Sequence, residues 1–388
     1  MTFPRVVPAD ERSGAWARAD STFMPFSRWP QREDPLRAFV KTQRGPGGEL
    51  KTVPDPRPGP HDVLVQVEAA SICGTDVHLW EWNEWAQGRV KRIPLILGHE
   101  VAGKIIELGR DVEGHQVGDR VSAETHIVDG TCYQCRTGRM HVCENLEVFG
   151  VDHDGVFAEY ALIPQRNAWT NDPHLDPALA SMQEPLGNAI HSLLPEDTTE
   201  DLAGKDVLVT GCGPIGLLAI PAAKMFGAAR VVATEVNPLR ISLARKMGAD
   251  AVFDPHELGA GTSKAVKEAL GGVGADVALE MSGHPTSLQI LFDSIKPGAR
   301  VSLLGLFSRP VPFDFDDAVI TKAARIHGIY GRRMFETWYS ARNLLARESF
   351  REKMASIITH RLPIPELPRA MELILSQQTG KVSLRPEW

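Results

Sequence analysis

The sequence predicts an α/β protein in two parts, a β-rich region followed by a doubly wound parallel sheet. From about Leu36 to His191, short alternating segments are separated by Gly and Pro clusters. From Leu202 to about Ile326, buried-type strands alternate with helix-length segments. A glycine-rich turn joins the first strand of that second part to its first helix. Alternation of this kind builds parallel sheets with right-handed crossovers.

In the first part, Val63-Leu-Val-Gln-Val-Glu-Ala69 and Ala102-Gly-Lys-Ile-Ile-Glu107 alternate as half-buried strands do. Arg44-Gly-Pro-Gly-Gly48 and Pro54-Asp-Pro-Arg-Pro-Gly-Pro60 mark turns. In the second part the expected strands are Asp206–Gly211, Arg230–Glu235, Ala251–Phe253, Asp276–Glu280 and Arg300–Leu304. Pro214–Phe226 and Pro238–Met247 read as helices. Beyond Ile326 the chain mixes helices with a last strand, Lys381–Leu384.

Composition narrows the function. The 388 residues exceed a small disulfide-stapled module, and five cysteines cannot all pair. Two or three domains with their own cores fit this length. A net charge of −7 opposes a nucleic-acid binder, which needs a basic face. The longest apolar stretches, such as Leu217–Ala223, are too short to span a membrane. The first 36 residues hold five arginines and five acids and no apolar core, so no signal peptide is expected and the expected compartment is the cytoplasm. Trp16, Phe23, Phe26 and Trp29 either dock this extension onto a neighbour or belong to a loose arm.

Gly211-Cys-Gly-Pro-Ile-Gly216 fits G-x-G-x-x-G between a strand and a helix, the context a dinucleotide site requires. Gly211 permits the tight turn, Gly213 lets a pyrophosphate approach the backbone, and Gly216 lets helix and strand pack closely. Pro214 and Ile215 open the helix, whose free N–H groups face the phosphates. Glu235 ends the second strand, where an acid receives ribose hydroxyls and repels a 2′-phosphate, so NAD is favoured over NADP. Arg240, five residues on, either contacts the same ribose or softens that preference.

Two groups of metal-type residues lie in the first part. Cys73, His99, Glu100 and Glu184 supply thiolate, imidazole and carboxylates, the donor set of a catalytic zinc with one open position. Cys132-x-x-Cys135-x7-Cys143 supplies three thiolates on one loop, and Asp129 stands three residues before Cys132 in the place of a fourth ligand. The alternative there is a collapsed, metal-free loop with thiols open to oxidation.

Gly98-His-Glu-x-x-Gly103-x5-Gly109-x-x-Val112 resembles the signature of the zinc-containing medium-chain alcohol dehydrogenases. Ile72–His78, Glu81–Gln87, His126-Ile-Val, Glu184–His191, Gly328–Arg332, Met334–Trp338, Ile358–His360 and Gly380–Val382 narrow the similarity to the L-threonine 3-dehydrogenases. It runs from about Arg37 to the C-terminus. The resemblance implies a GroES-like catalytic domain at 37–187 and 328–388, interrupted by a Rossmann domain at 188–327 that binds NAD. It further implies a homotetramer with one catalytic and one structural zinc. That structural zinc is usually held by four cysteines, so Asp129 departs from the family.

The same resemblance implies oxidation of L-threonine to 2-amino-3-oxobutanoate. Thr75 and His78 would relay the proton, and His126 is either a substrate neighbour or a hydrogen-bonded loop histidine. Glu100 either ligates zinc in turn with water or stands behind the ligands. Arg332 contacts cofactor or stabilises the tetramer. Trp80, Trp82 and Trp85 anchor packing or wall the cleft. The alternatives are a related dehydrogenase of a polyol, a secondary alcohol or another β-hydroxy amino acid and, more remotely, a non-catalytic nucleotide-binding scaffold. The expected partner is a small-molecule alcohol, with no nucleic acid and no membrane.

Overall fold

The computed structural model describes residues 36–195 and 201–388. The four aromatic residues singled out in the N-terminal extension lie outside the described residues.

The apolar segments after Leu202 pair side by side as β1 (Asp206–Thr210), β2 (Arg230–Thr234), β3 (Ala251–Phe253), β4 (Ala275–Glu280), β5 (Ile295–Leu303) and β6 (Arg325–Gly328). All are parallel, in the order β3-β2-β1-β4-β5-β6. This is the doubly wound order that places ligands at the carboxyl ends of the strands. Every residue of β1 is buried. Helices cover both faces of such a sheet, which is why Val-Leu-Val shows no alternation. β6 was not legible in the sequence because Arg-Ile-His-Gly is short and mostly exposed, as an edge strand can be. β5 starts five residues before the expected Arg300, across Pro297 and Gly298, where the pairing with β4 shifts register.

The helices Pro214–Met225 and Pro238–Met247 both carry proline in the first turn, where its missing N–H costs nothing. Asn237 caps the second helix by accepting from the Arg240 N–H at 3.0 Å. Gly248 ends it in the left-handed region, at φ +105.

The β-rich part is built on a seven-stranded sheet, beside a three-stranded sheet of Leu36–Lys41, Glu49–Val53 and Leu95–Ile96 and the short pair His126–Ile127 with Glu147–Val148. The main path of the seven-stranded sheet runs Ala168–Thr170, Arg120–Ala123, Glu100–Leu108, Asp62–Ser71, Lys381–Arg385, Ile358–Pro363, and Tyr160–Pro164 also pairs with Asp62–Ser71. The last two strands of the chain therefore return to this sheet, with Ser383 opposite Ser71 and Leu384 opposite Ala70.

Two large cores result. One, with Val65, Ile105, Phe157 and Leu384, lies within the β-rich part. The other, with Val209, Leu217 and Ile220, lies against the parallel sheet and takes in Ile190 and Leu193. Those two residues belong to the helix Gln183–Leu193, which is buried along its whole length. That helix carries the metal-type residue Glu184 in its first turn and ends in the nucleotide-side core, so it spans the junction of the two parts. Leu344, Phe350 and Met354 from the helices Glu336–Leu345 and Glu348–Ser356 join the same core.

Leu384 is fully buried in the returning strand. Leu384→Ala is expected to cost about 2–5 kcal/mol, read as a lowered urea midpoint. Val273→Ala, at a 61% exposed side chain, is expected to change stability by less than about 0.5 kcal/mol.

Candidate active site and metal centres

Strand register assembles the first centre. Ser71 pairs with Glu100 across two antiparallel strands, so the residues just beyond one strand, Cys73, meet those just before the other, His99. The ligand atoms of Cys73, His99 and Glu100 all lie within 4.8 Å of one another. Cys73 caps the helix Gly74–Glu81, and its N–H donates to Asp76 Oδ2 at 2.8 Å. That fixes the carboxylate of Asp76, whose Oδ1 lies 3.3 Å from His99 Nδ1. The two atoms are close but poorly aligned, and neither makes another hydrogen bond. Burial opposes a charged His99, yet Asp76 holds its pKa well above the usual histidine range. An acid behind an imidazole orients it and raises its basicity toward a metal.

Glu100 is completely buried. Ser71 Oγ donates to it, and Lys381 Nζ donates at 2.8 Å to Glu100 Oε1 and at 2.8 Å to the Ile72 carbonyl. Lys381 arrives on the returning strand. Burial opposes its charge, but Glu100 raises its pKa and keeps it cationic.

Glu184 stands outside the three-residue group. It accepts from Arg332 Nη1, and Asn188 Nδ2 lies 3.4 Å from each of its oxygens. Arg332 is fully buried and also bonds Thr125 Oγ1 and Glu124, with Arg332 Nε 2.8 Å from Glu124 Oε2. Trp338 Nε1 donates to the same Glu124 oxygen at 2.6 Å. Arg332 is thus committed to carboxylates beside the metal-type residues rather than presented from an open cleft. Burial and the Arg332 charge hold the His126 pKa well below the usual range, so its imidazole is neutral. His126 stacks on Tyr330 at 5.6 Å, and its Nδ1 has no partner.

Thr75 Oγ1 lies 3.9 Å from Cys73 Sγ. His78 Nδ1 contacts Asn83 Nδ2 at 2.7 Å, and burial lowers its pKa. Trp80 and Trp85 pack against the β-rich core, and Trp82 is 9% exposed under Lys41. The tryptophans therefore anchor packing, with Trp85 also 5.7 Å from the His78 ring.

In the second centre the ligand atoms of Asp129, Cys132, Cys135 and Cys143 lie within 4.8 Å of one another. Asp129 Oδ1 accepts from the N–H groups of Thr131 at 2.7 Å and Cys132 at 2.9 Å, and Oδ2 accepts from Asn145 at 2.6 Å. Those bonds hold its carboxyl far below the usual range. Two lone pairs of Oδ1 are in use, so Oδ2 is the oxygen with spare capacity for a metal.

At the nucleotide turn, Gly211 has φ +91, and a Cβ on Gly216 would meet the Gly211 carbonyl at 2.1 Å. A Cβ on Gly213 would meet nothing within 4 Å, which leaves the backbone open to a phosphate. Glu235 Oε2 accepts from Cys212 N–H at 2.7 Å, and Oε1 accepts from Val236 at 2.8 Å and Asn237 at 2.9 Å. Three of its four acceptor positions are filled, and one remains for a ribose hydroxyl. Arg240 Nε donates to the Thr379 carbonyl at 3.3 Å.

Gly211 follows the carboxyl end of β1, and Gly331-Arg332 follow the carboxyl end of β6. The strands are parallel, so nucleotide turn and metal group lie off the same end of the sheet. Asp76, Glu124 and Lys381 were missed in the sequence. Only Asp76 left a trace, three residues after a helix-opening Cys73, the spacing of a capping box.

Residues 59–172 match the alcohol dehydrogenase GroES-like domain, and residues 214–347 match the zinc-binding dehydrogenase domain. An L-threonine 3-dehydrogenase of Symbiobacterium thermophilum is 47% identical over 352 residues, 91% of this chain and 98% of the relative. One from Pyrococcus horikoshii is 49% identical over 346 residues, 89% and 97%. Among solved structures, a Sinorhizobium meliloti protein described as a zinc-binding dehydrogenase, bound to NADP, superposes with a TM-score of 0.81 at 29% identity, covering 91% of this chain and all of the other. The chain belongs to the zinc-binding alcohol dehydrogenases, in the family of the L-threonine 3-dehydrogenases.

Proposed function

We propose that the protein oxidises the secondary hydroxyl of L-threonine to 2-amino-3-oxobutanoate, with NAD taking the hydride and one proton going to solvent. The observation that carries this reading is a thiol, an imidazole and a carboxylate gathered at the same sheet end as an open glycine turn. The substrate follows from relatives at 47% and 49% identity.

The donor set of Cys73, His99, Glu100 and Glu184 suits zinc, and the buried Asp76 carboxylate 3.3 Å behind His99 Nδ1 suits that imidazole to a metal ligand. Zinc held there supplies polarisation of the substrate hydroxyl and stabilises negative charge on its oxygen. Thr75 and His78 carry the proton outward from beside Cys73. Neutral His126 offers a donor or acceptor to the substrate. Glu235 takes the adenosine ribose with Arg240 beside it, and Gly211, Gly213, Pro214, Ile215 and Gly216 present the pyrophosphate with a helix N-terminus. Arg332 acts through Glu184, which it holds in place. The side chains that carry these roles come from the β-rich part (37–187 with 328–388) and the nucleotide part (188–327), a division supported by the returning C-terminal strands.

Free thiols at all five cysteines support a cytoplasmic site of action. Among the described residues no helix is long and apolar enough to cross a membrane. Homotetramer formation is supported by the open edge of β6 and by exposed Leu306, Phe315 and Ile320 on the segment between β5 and β6.

A steady-state panel with threonine, serine, butanediol and sorbitol, each with NAD and NADP, tests the substrate. Threonine with NAD is expected to give the highest kcat/KM. Turnover of threonine no better than of the diols removes the threonine assignment and leaves the dehydrogenase class.

For the second centre, metal analysis is expected to give two zinc per chain. Asp129→Ala is expected to lower this to one, and Asp129→Cys to keep two. One zinc in the unsubstituted protein contradicts the Asp129 site.

A further inference from the structure

A cavity lies at the edge of the seven-stranded sheet. Its walls come from the edge strand Ala168–Thr170, the loop that follows, and the helices Glu336–Leu345 and Glu348–Ser356. It encloses about 580 Å³, within the roughly 300–1,000 Å³ typical of small-molecule sites.

The lining is apolar at Leu175 and Leu345 and cationic at Arg342 and Arg351. The Arg342 guanidinium lies 5.7 Å from the Trp169 ring centroid and 4.8 Å from that of Tyr339. Arg351 donates one N–H to the Leu345 carbonyl at 2.7 Å. Neither arginine has a carboxylate partner among the described residues. Asp172, the only acid in the lining, leaves the cavity net positive. Two guanidinium forks beside apolar and aromatic walls match one chemistry, an anionic head on a flat apolar body.

We propose that this cavity is a binding site for small planar carboxylates, separate from the alcohol and nucleotide sites. The carboxylate takes paired N–H bonds from Arg342 and Arg351, and the ring lies against Leu175, Leu345 and the Trp169 side. The cavity adjoins, without including, the residues that hold the metal-side carboxylates. Gln183 lines the cavity and precedes Glu184. Trp338, on the same helix as Arg342, bonds the Glu124 that holds Arg332.

Isothermal titration of the zinc-loaded, NAD-saturated enzyme with indole-3-acetate tests the site. One saturable site per chain is expected. Arg342→Gln and Arg351→Gln, both at side chains outside the cores, are each expected to weaken it about tenfold with unchanged melting temperatures. Cys73→Ser is expected to retain the unsubstituted affinity, which separates this cavity from the metal centre. The proposal is overturned by absence of saturable binding at millimolar probe, by affinity indifferent to both arginine substitutions, or by loss of binding in Cys73→Ser. None of these outcomes depends on which alcohol is oxidised.

Discussion

A carboxylate taken out of water stays ionised only with a cation or several donors beside it. Around the metal group, Lys381 neutralises Glu100, and Arg332 bridges Glu124 and Glu184. All of these side chains are essentially removed from solvent. Removing one member of such a pair costs roughly 3–5 kcal/mol, because the other charge is left buried alone. The chain must therefore bring residues from both ends of its sequence to one place. The returning strand Lys381–Arg385 and the segment that follows β6 do so.

This constraint joins fold to site. Antiparallel pairing of Ser71 with Glu100 sets the distance between Cys73 and His99, and pairing of Ser383 with Ser71 brings Lys381 behind them. The helix Gln183–Leu193 carries Glu184 at one end and packs Ile190 and Leu193 into the nucleotide-side core at the other. Displacement of one part against the other would thus be felt at Glu184. The metal side needs negative charge and the nucleotide side needs free N–H donors. The shared carboxyl end of a parallel sheet offers both, strand-end side chains and a helix N-terminus.

Local patterns made much of this legible. The strands β1 to β4 and both proline-opened helices follow from short apolar runs and turn residues. The nucleotide turn and the thiol loop announce themselves because their chemistry lies within a few consecutive residues. Glu124, Arg332 and Lys381 do not. A buried charge reads as a surface charge until its partner is known, and the partners here are 208 and 281 residues away. Glu184, expected as a metal ligand, is also held by Arg332, a pairing that no spacing could reveal. Asp129 is the opposite case. Its position three residues before Cys132 pointed to the loop, and its carboxylate lies among the three sulfurs. It also caps the turn with two of its lone pairs, so one side chain shapes the loop and stands within reach of the three sulfurs.

The central claim is that Cys73 anchors the metal that makes the alcohol reactive while the nucleotide site stands apart from it. Cys73→Ser tests this most directly, by turnover of L-threonine together with NAD binding measured on the same preparation. The expected result is loss of turnover with NAD affinity unchanged. Retained turnover in the serine variant would contradict it.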